Sequence, residues 1–272
     1  MLRNTLSSIA VLLMLTIPAY AQEQHQTALA GEVLLLNGFD TLTEDQARAL
    51  SNAPEGTGDN DPDLATAWDR LGPRFFQAEA VFDAAAEQFG EMATLEELES
   101  LRGFFSMGLG QRITALEEAS QMPDMDGVDQ VELGHAAMAE IDPDRLEALQ
   151  RLTLAFGTPE EIAATSLNRQ FVFQQALNEN LGRAIPEADL LAMIITQQDD
   201  MIARLQIESV AIKAFIYQSL SVDELNAYAA VIEGGAGQKM YEAVEAAMTE
   251  ELHSQMRNFA AALGAAVSAE NI

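Results

Sequence analysis

At Thr43 to Gln46, Thr94 to Glu97, Thr158 to Glu161 and Ser221 to Glu224 a Ser or Thr stands three residues ahead of a Glu or Gln where a helix could begin. In this arrangement the hydroxyl accepts from the amide three residues on, and the longer side chain reaches back to the first amide. Two of the orphan N–H groups of a helix start are then satisfied, so each pattern predicts a helix beginning there. Pro143 after Asp142 and Pro159 after Thr158 add the residue best tolerated in a first helical turn. Ala, Leu, Glu and Gln dominate over aromatics, and no segment sustains a period of two. The expected fold is all-α, a multi-helix bundle, and at 49 % hydrophobic residues the chain can build a sizeable core.

Finer expectations follow from the stops and the periodicity. A first helix covers 27–37 and closes at Asn37-Gly38, and a short one starts at Thr43. The Pro-, Gly- and Asp-rich run from Asn52 to Asp63 reads as a solvated loop. A long helix from Pro62 to Gly90 should bend at Gly72-Pro73, and the helix capped by Thr94 should end near Ser106. Pro186 should open the longest helix, to about Leu220, with Leu191, Ile194, Ile195, Met201, Ile202 and Leu205 in one apolar stripe that continues through Ile212, Phe215 and Ile216. Met122–Gly127 is the best internal boundary, dividing a half at 22–125 from a half at 126–267, with a frayed tail at 268–272.

The first 21 residues are a different kind of segment. Arg3 precedes an apolar run from Ile9 to Ile17, Pro18 ends it, and Ala19-Tyr20-Ala21 offers small residues at the positions a signal peptidase reads. The run is well short of the ~20 residues a bilayer core requires. The expectation is a cleavable signal peptide at 1–21, cleavage after Ala21, and export to the periplasm. Without any Cys the chain has no lipid attachment through an N-terminal Cys, no disulfide framework, no thiol nucleophile and no thiolate metal site. No second apolar run is long enough for a membrane span.

The formal charge of −29 is spread evenly: residues 22–125 carry 5 basic and 20 acidic side chains, and residues 126–272 carry 8 and 23. There is no basic stripe. Nucleic acid is excluded as a partner, because phosphate binding depends on releasing counterions to clustered cations, and anionic membrane surfaces are repelled.

Residues 94–119 and 221–246 match without a gap at an offset of 127, with identities that include Glu97/Glu224, Leu98/Leu225, Gly108/Gly235, Gly110/Gly237 and Gln111/Gln238. The order is cap, helix, Gly-x-Gly-Gln-basic, helix. We expect an internally duplicated helix–turn–helix unit, each copy needing a neighbour to bury its apolar face.

The stretch Tyr217-Gln-Ser-Leu-Ser-Val-Asp-Glu-Leu225, followed by Ala236-Gly-Gln-Lys239, resembles the C-terminal signature of the bacterial exported proteins grouped as domain of unknown function 2059. The resemblance extends over about Asp142 to Ala262, with 94–119 as a degenerate second copy. It departs from the family pattern at Val231-Ile232-Glu233-Gly234. It implies an all-α fold and a periplasmic address, and it brings no activity and no catalytic residues.

Candidate chemistry is sparse. Gly234–Lys239 has the outline of a phosphate loop, but Gln238 stands where Gly must precede Lys, Met240 follows, and no strand leads in. As a calcium loop Asp59–Asp63 would need Gly and Glu where Leu64 and Arg70 stand, and Asp124–Asp129 fails in the same way, with Met122 and Leu133 at its ligating ends. His25, His135 and His253 form no metal-ligand pair; the first precedes the helices, and the other two read as helix-surface residues. Trp68, Phe75, Phe76 and Phe82 read as a core stripe. No catalytic, cofactor-binding or metal residue is assigned. The expected function is therefore a non-catalytic periplasmic protein that takes a protein or peptide partner in an apolar groove between helices. The alternatives are a hydrolase using scattered carboxylates and an envelope-stress structural protein.

Overall fold

The computed structural model describes residues 24–54, 56–125, 127–182 and 185–270, and the segment read as a signal peptide lies outside them. Among the described residues the regular structure is helical, with no strand. In chain order the helices are α1 (24–36), α2 (Phe39–Ser51), α3 (Thr57–Asn60), α4 (Pro62–Phe75), α5 (Ala78–Met92), α6 (Leu95–Phe105) and α7 (Gly108–Gln121). A 3₁₀ turn at Pro123–Met125 leads to α8 (Gln130–Met138), α9 (Pro143–Ala155), α10 (Pro159–Asn180), α11 (Glu187–Ile195), α12 (Gln198–Ile216), α13 (Val222–Glu233) and α14 (Gly235–Glu270). No helix among them is long and apolar enough to cross a membrane.

Three of the four caps form as expected: Thr94 with Glu97, Thr158 with Glu161 and Ser221 with Glu224 each close a reciprocal capping box. The fourth does not. α2 starts four residues earlier, at the buried Phe39, because Gly38 takes the left-handed conformation (φ 80°) and turns the chain directly out of α1. Thr43 is then inside the helix, and its hydroxyl donates to the Asp40 carbonyl at 2.8 Å.

Other boundaries also differ from expectation. The 52–63 loop contains a single helical turn, α3. The long helix after Pro62 breaks at Phe76-Gln77 and not at Gly72-Pro73. Gln255 makes this break possible: its side chain accepts from the Gln77 amide and donates to the Gln77 carbonyl, both at 3.1 Å, replacing the lost helical bonds. The stretch expected as one helix from Pro186 is two. At the join the Thr196 hydroxyl donates back to the Met193 carbonyl at 2.7 Å, removing an acceptor from the helical ladder. Leu190 and Ile194 are the buried positions of α11, and Leu191 and Ile195 are exposed, so the expected stripe is split. The longest helix is α14, 36 residues and about 54 Å at 1.5 Å per residue. It runs on past Ser268, where fraying was expected, to Glu270.

One continuous apolar core joins both sides of the Met122–Gly127 boundary: Phe89, Leu98, Phe105 and Ile113 meet Leu149, Leu225, Tyr228 and Ile232. A smaller cluster forms where Trp68, Phe76 and Phe173 surround Phe259 of α14; Phe75 packs at its edge, while Phe82 stacks on Phe39 in the main core.

Residues related by the 127-residue offset make reciprocal contacts. Lys239 Nζ lies 2.8 Å from both carboxylate oxygens of Glu97, and Arg112 donates to Glu224 at 2.7 Å. Glu97 corresponds to Glu224 and Arg112 to Lys239, so each unit's cap receives the other unit's cation. A contact from i to j matched by one from j to i is what a two-fold relation produces. The glycines agree: a Cβ on Gly110 would sit 2.2 Å from the Phe104 carbonyl oxygen, and one on Gly237 would sit 2.2 Å from that of Val231, its counterpart. α2 packs on α5 and α7 as α10 packs on α12 and α14.

Candidate functional site: a carboxyl among tyrosines

The tight corner at Gly38 places Asn37 and Phe39 beside the C-terminal half of α7 and the N-terminal turns of α14. Between these elements and the end of α12 lies a cavity of about 250 Å³. Its walls are mainly apolar: Phe39, Leu42, Phe156, Ile216, Met240 and Val244. Its polar groups are Glu117, Ser120 and Gln121 of α7, Lys213 of α12, Tyr217 just beyond it, Asn37, and Tyr241 of α14.

Glu117 organises the site. Its Oε1 accepts from the hydroxyl of Tyr217 and, at 2.9 Å, from that of Tyr228 on α13. Tyr228 is completely buried and Tyr217 nearly so, which fixes both phenols in place. Removal from water outweighs these hydrogen bonds and the nearby Lys213 charge, and it pushes the Glu117 carboxyl up to about 7. Burial also pushes up the phenols of Tyr217, Tyr228 and Tyr241, with the Glu117 charge adding to the effect.

Lys213 is the cationic counterpart. Its ammonium lies 4.8 Å from the centroid of the Phe156 ring, within cation–π range. Burial lowers it to about 8 against the pull of Glu117, whose charge it feels without a direct ion pair. Beside the cavity the Asn37 side chain lies against the Tyr241 phenol, and Gln121 Oε1 is fully enclosed with no hydrogen-bond partner. Buried polar atoms without partners are uncommon in folded proteins, because each forfeits its hydration.

The arrangement holds and orients a molecule more readily than it breaks one. Glu117 is the single carboxylate on the cavity wall, so a mechanism needing two flanking carboxyl groups has no second one there. Its neighbour Glu118 faces elsewhere: burial and the charge of Asp40 raise its pKa. Among the described residues no three His, Asp or Glu side chains gather as a metal site.

The calcium-like, phosphate-loop-like and histidine candidates from the sequence do not line this cavity. Asp61 caps α4 through the Leu64 amide at 3.0 Å, and Asp129 caps α8 through Glu132 at 2.9 Å. Lys239, from the glycine-rich turn, is the partner of Glu97. His135 is exposed as expected. His253 is not a surface residue: it is partly enclosed, with Nε2 buried and unpartnered, and burial together with Arg257 and Arg169 lowers its pKa. α10 and α14 converge on it, which the local pattern around His253 does not reveal.

Glu117 was invisible in the sequence as one acid among 43. A usable signal did exist. At an offset of 127 stands Val244, an apolar residue that lines the same cavity, so the expected duplication would set a carboxylate against an apolar position. Comparison with protein-family models, with curated proteins and with solved structures found no match.

Proposed function

We propose that this chain is a non-catalytic, exported binding protein that encloses a small ligand in the cavity around Glu117. The observation that carries this reading is one mainly apolar cavity holding a carboxyl and an ammonium that form no ion pair with each other. Convergent polar groups in an otherwise apolar concavity are the usual form of a ligand site. The periplasmic address rests on the signal-peptide pattern of residues 1–21, and membership of the domain of unknown function 2059 group rests on the residues quoted above. Internal duplication is part of the same proposal, supported by the reciprocal Glu97–Lys239 and Arg112–Glu224 pairs.

A thermal-shift screen of the mature chain against small molecules of mixed charge tests the reading, with Val244→Phe and Met240→Phe as independent cavity-filling variants. Compounds that stabilise the parent should lose their effect in both. Stabilisation that survives both fillings, or none at all in the parent, would remove the support.

A second reading keeps a protein or peptide partner. Leu191, Met193 and Ile195 of α11 are 42 %, 58 % and 54 % exposed, an apolar face of the kind that marks interaction sites. A hydrophobic dye should bind the parent and not a Leu191→Lys, Met193→Glu variant; equal binding to both rules this face out.

A further inference from the structure

We propose that the ligand of the Glu117 cavity is a small zwitterion with an apolar side chain, an amino-acid-like molecule. Its carboxylate would face Lys213 and its ammonium Glu117. This rests on the reading that the cavity is a ligand site.

Glu117 and Lys213 line one cavity with opposite charges and no direct ion pair between them. Oε1 of Glu117 is committed to Tyr217 and Tyr228; Oε2 accepts no hydrogen bond among the described residues. The Lys213 ammonium rests over an aromatic face and donates to no oxygen among them. Each charge therefore lacks a full complement of partners. A ligand carrying only an ammonium would meet Lys213, and one carrying only a carboxylate would meet Glu117. A ligand carrying both satisfies both.

The remaining wall is mainly apolar, which suits an aliphatic or aromatic side chain. At about 250 Å³ the space lies below the ~300–1,000 Å³ typical of drug-sized ligands, so the occupant is compact. The formal charge of −29 repels anions at a distance but leaves a molecule of zero net charge free to approach.

Isothermal titration of the mature chain at pH 7.5 tests the assignment with two matched sets. One is leucine, 3-methylbutylamine and 4-methylpentanoate; the other is phenylalanine, phenethylamine and 3-phenylpropionate. At least one amino acid should bind tenfold or more tightly than its own amine and acid. Glu117→Gln and Lys213→Met should each weaken that binding at least tenfold, with near-ultraviolet circular dichroism confirming a folded chain. An amine or acid that matches its amino acid overturns the zwitterion and leaves the cavity reading intact. Failure of all six overturns it as well; whether the cavity reading then survives is read from cavity-dependent hits in the thermal-shift screen. The comparison of the six ligands is made on the parent chain, so it holds even if a variant misfolds.

Discussion

Lys239 holds the Glu97 carboxylate at 2.8 Å through both oxygens, and Glu97 is at the same moment the capping residue that closes the first turn of α6. One side chain thus ends a local structure and joins two parts of the chain that are 142 residues apart. Arg112 does the same for Glu224 at the start of α13. A helix-start signal legible in sequence is here also a long-range clasp.

The clasp is visible in acid. The hydrogen bond from Lys239 and those from Thr94 hold the Glu97 carboxyl at about 2, below the ordinary 4.5, and Arg112 with Ser221 holds Glu224 at about 2. A lowered carboxyl stabilises the fold above the ordinary value, and that contribution is lost as pH falls from 4.5 through 2. Lys239→Met should raise the Glu97 midpoint toward 4.5 without reaching it, because the Thr94 bonds remain. Arg112→Met should do the same at Glu224. Carbon-detected NMR titration of the two glutamates reads both shifts.

The close helix approaches make a sharper prediction for the glycines. Gly110→Ala and Gly237→Ala each place a Cβ 2.2 Å from a carbonyl oxygen. Each should destabilise the chain by about 1–3 kcal/mol or more, the range for overpacking against atoms that cannot yield. Gly103→Ala, inside α6 and with nothing within 4 Å of the new atom, should instead stabilise by roughly 0.5–1 kcal/mol. Urea midpoints at constant slope separate the two classes.

Glu117 dictates a pH dependence of opposite sense to that of Glu97. Its folded value near 7 lies above 4.5, so between these limits the folded chain holds a proton that the unfolded chain has released. Stability is then lost as pH rises from 4.5 to 7 and is level above. The groups that set this are Tyr217 and Lys213 from the α12 side, Tyr228 from α13 and Glu118 from α7 itself. Glu117→Gln cannot ionise and should gain on the parent by about 2–3 kcal/mol across that interval, at ~1.4 kcal/mol per pKa unit. Denaturant unfolding at pH 5 and pH 7.5 measures it.

Lys213 adds a distinct signature at high pH. Lowered to about 8, it is neutral in the folded chain between 8 and 10.5 while the unfolded chain still holds the proton. Stability attributable to this group therefore rises over that window, and Lys213→Met should remove the rise. Parallel thermal melts from pH 8 to pH 10 show whether the two chains diverge.

What the sequence made legible was local. The capping boxes at Thr94, Thr158 and Ser221 work because their chemistry is complete within four residues. Thr43 has the same pattern, but Gly38 and the burial of Phe39 started the helix first. The break at Gln77 depends on Gln255, 178 residues away, which no local pattern can announce. The cavity was hidden for the same reason. Asn37, Glu117, Lys213 and Tyr241 are distant in sequence, and only the packing of α2, α7, α12 and α14 gathers them. The offset that pairs Glu117 with Val244 was the one long-range clue available before the fold.

The most direct test is the ionisation of Glu117 itself, followed by its side-chain carboxyl carbon in the ligand-free chain and assigned with Glu117→Gln. A carboxyl enclosed with Tyr217, Tyr228 and Lys213 should titrate near 7. A midpoint at the ordinary 4.5 would mean that Glu117 is solvated and that the enclosed cavity does not exist.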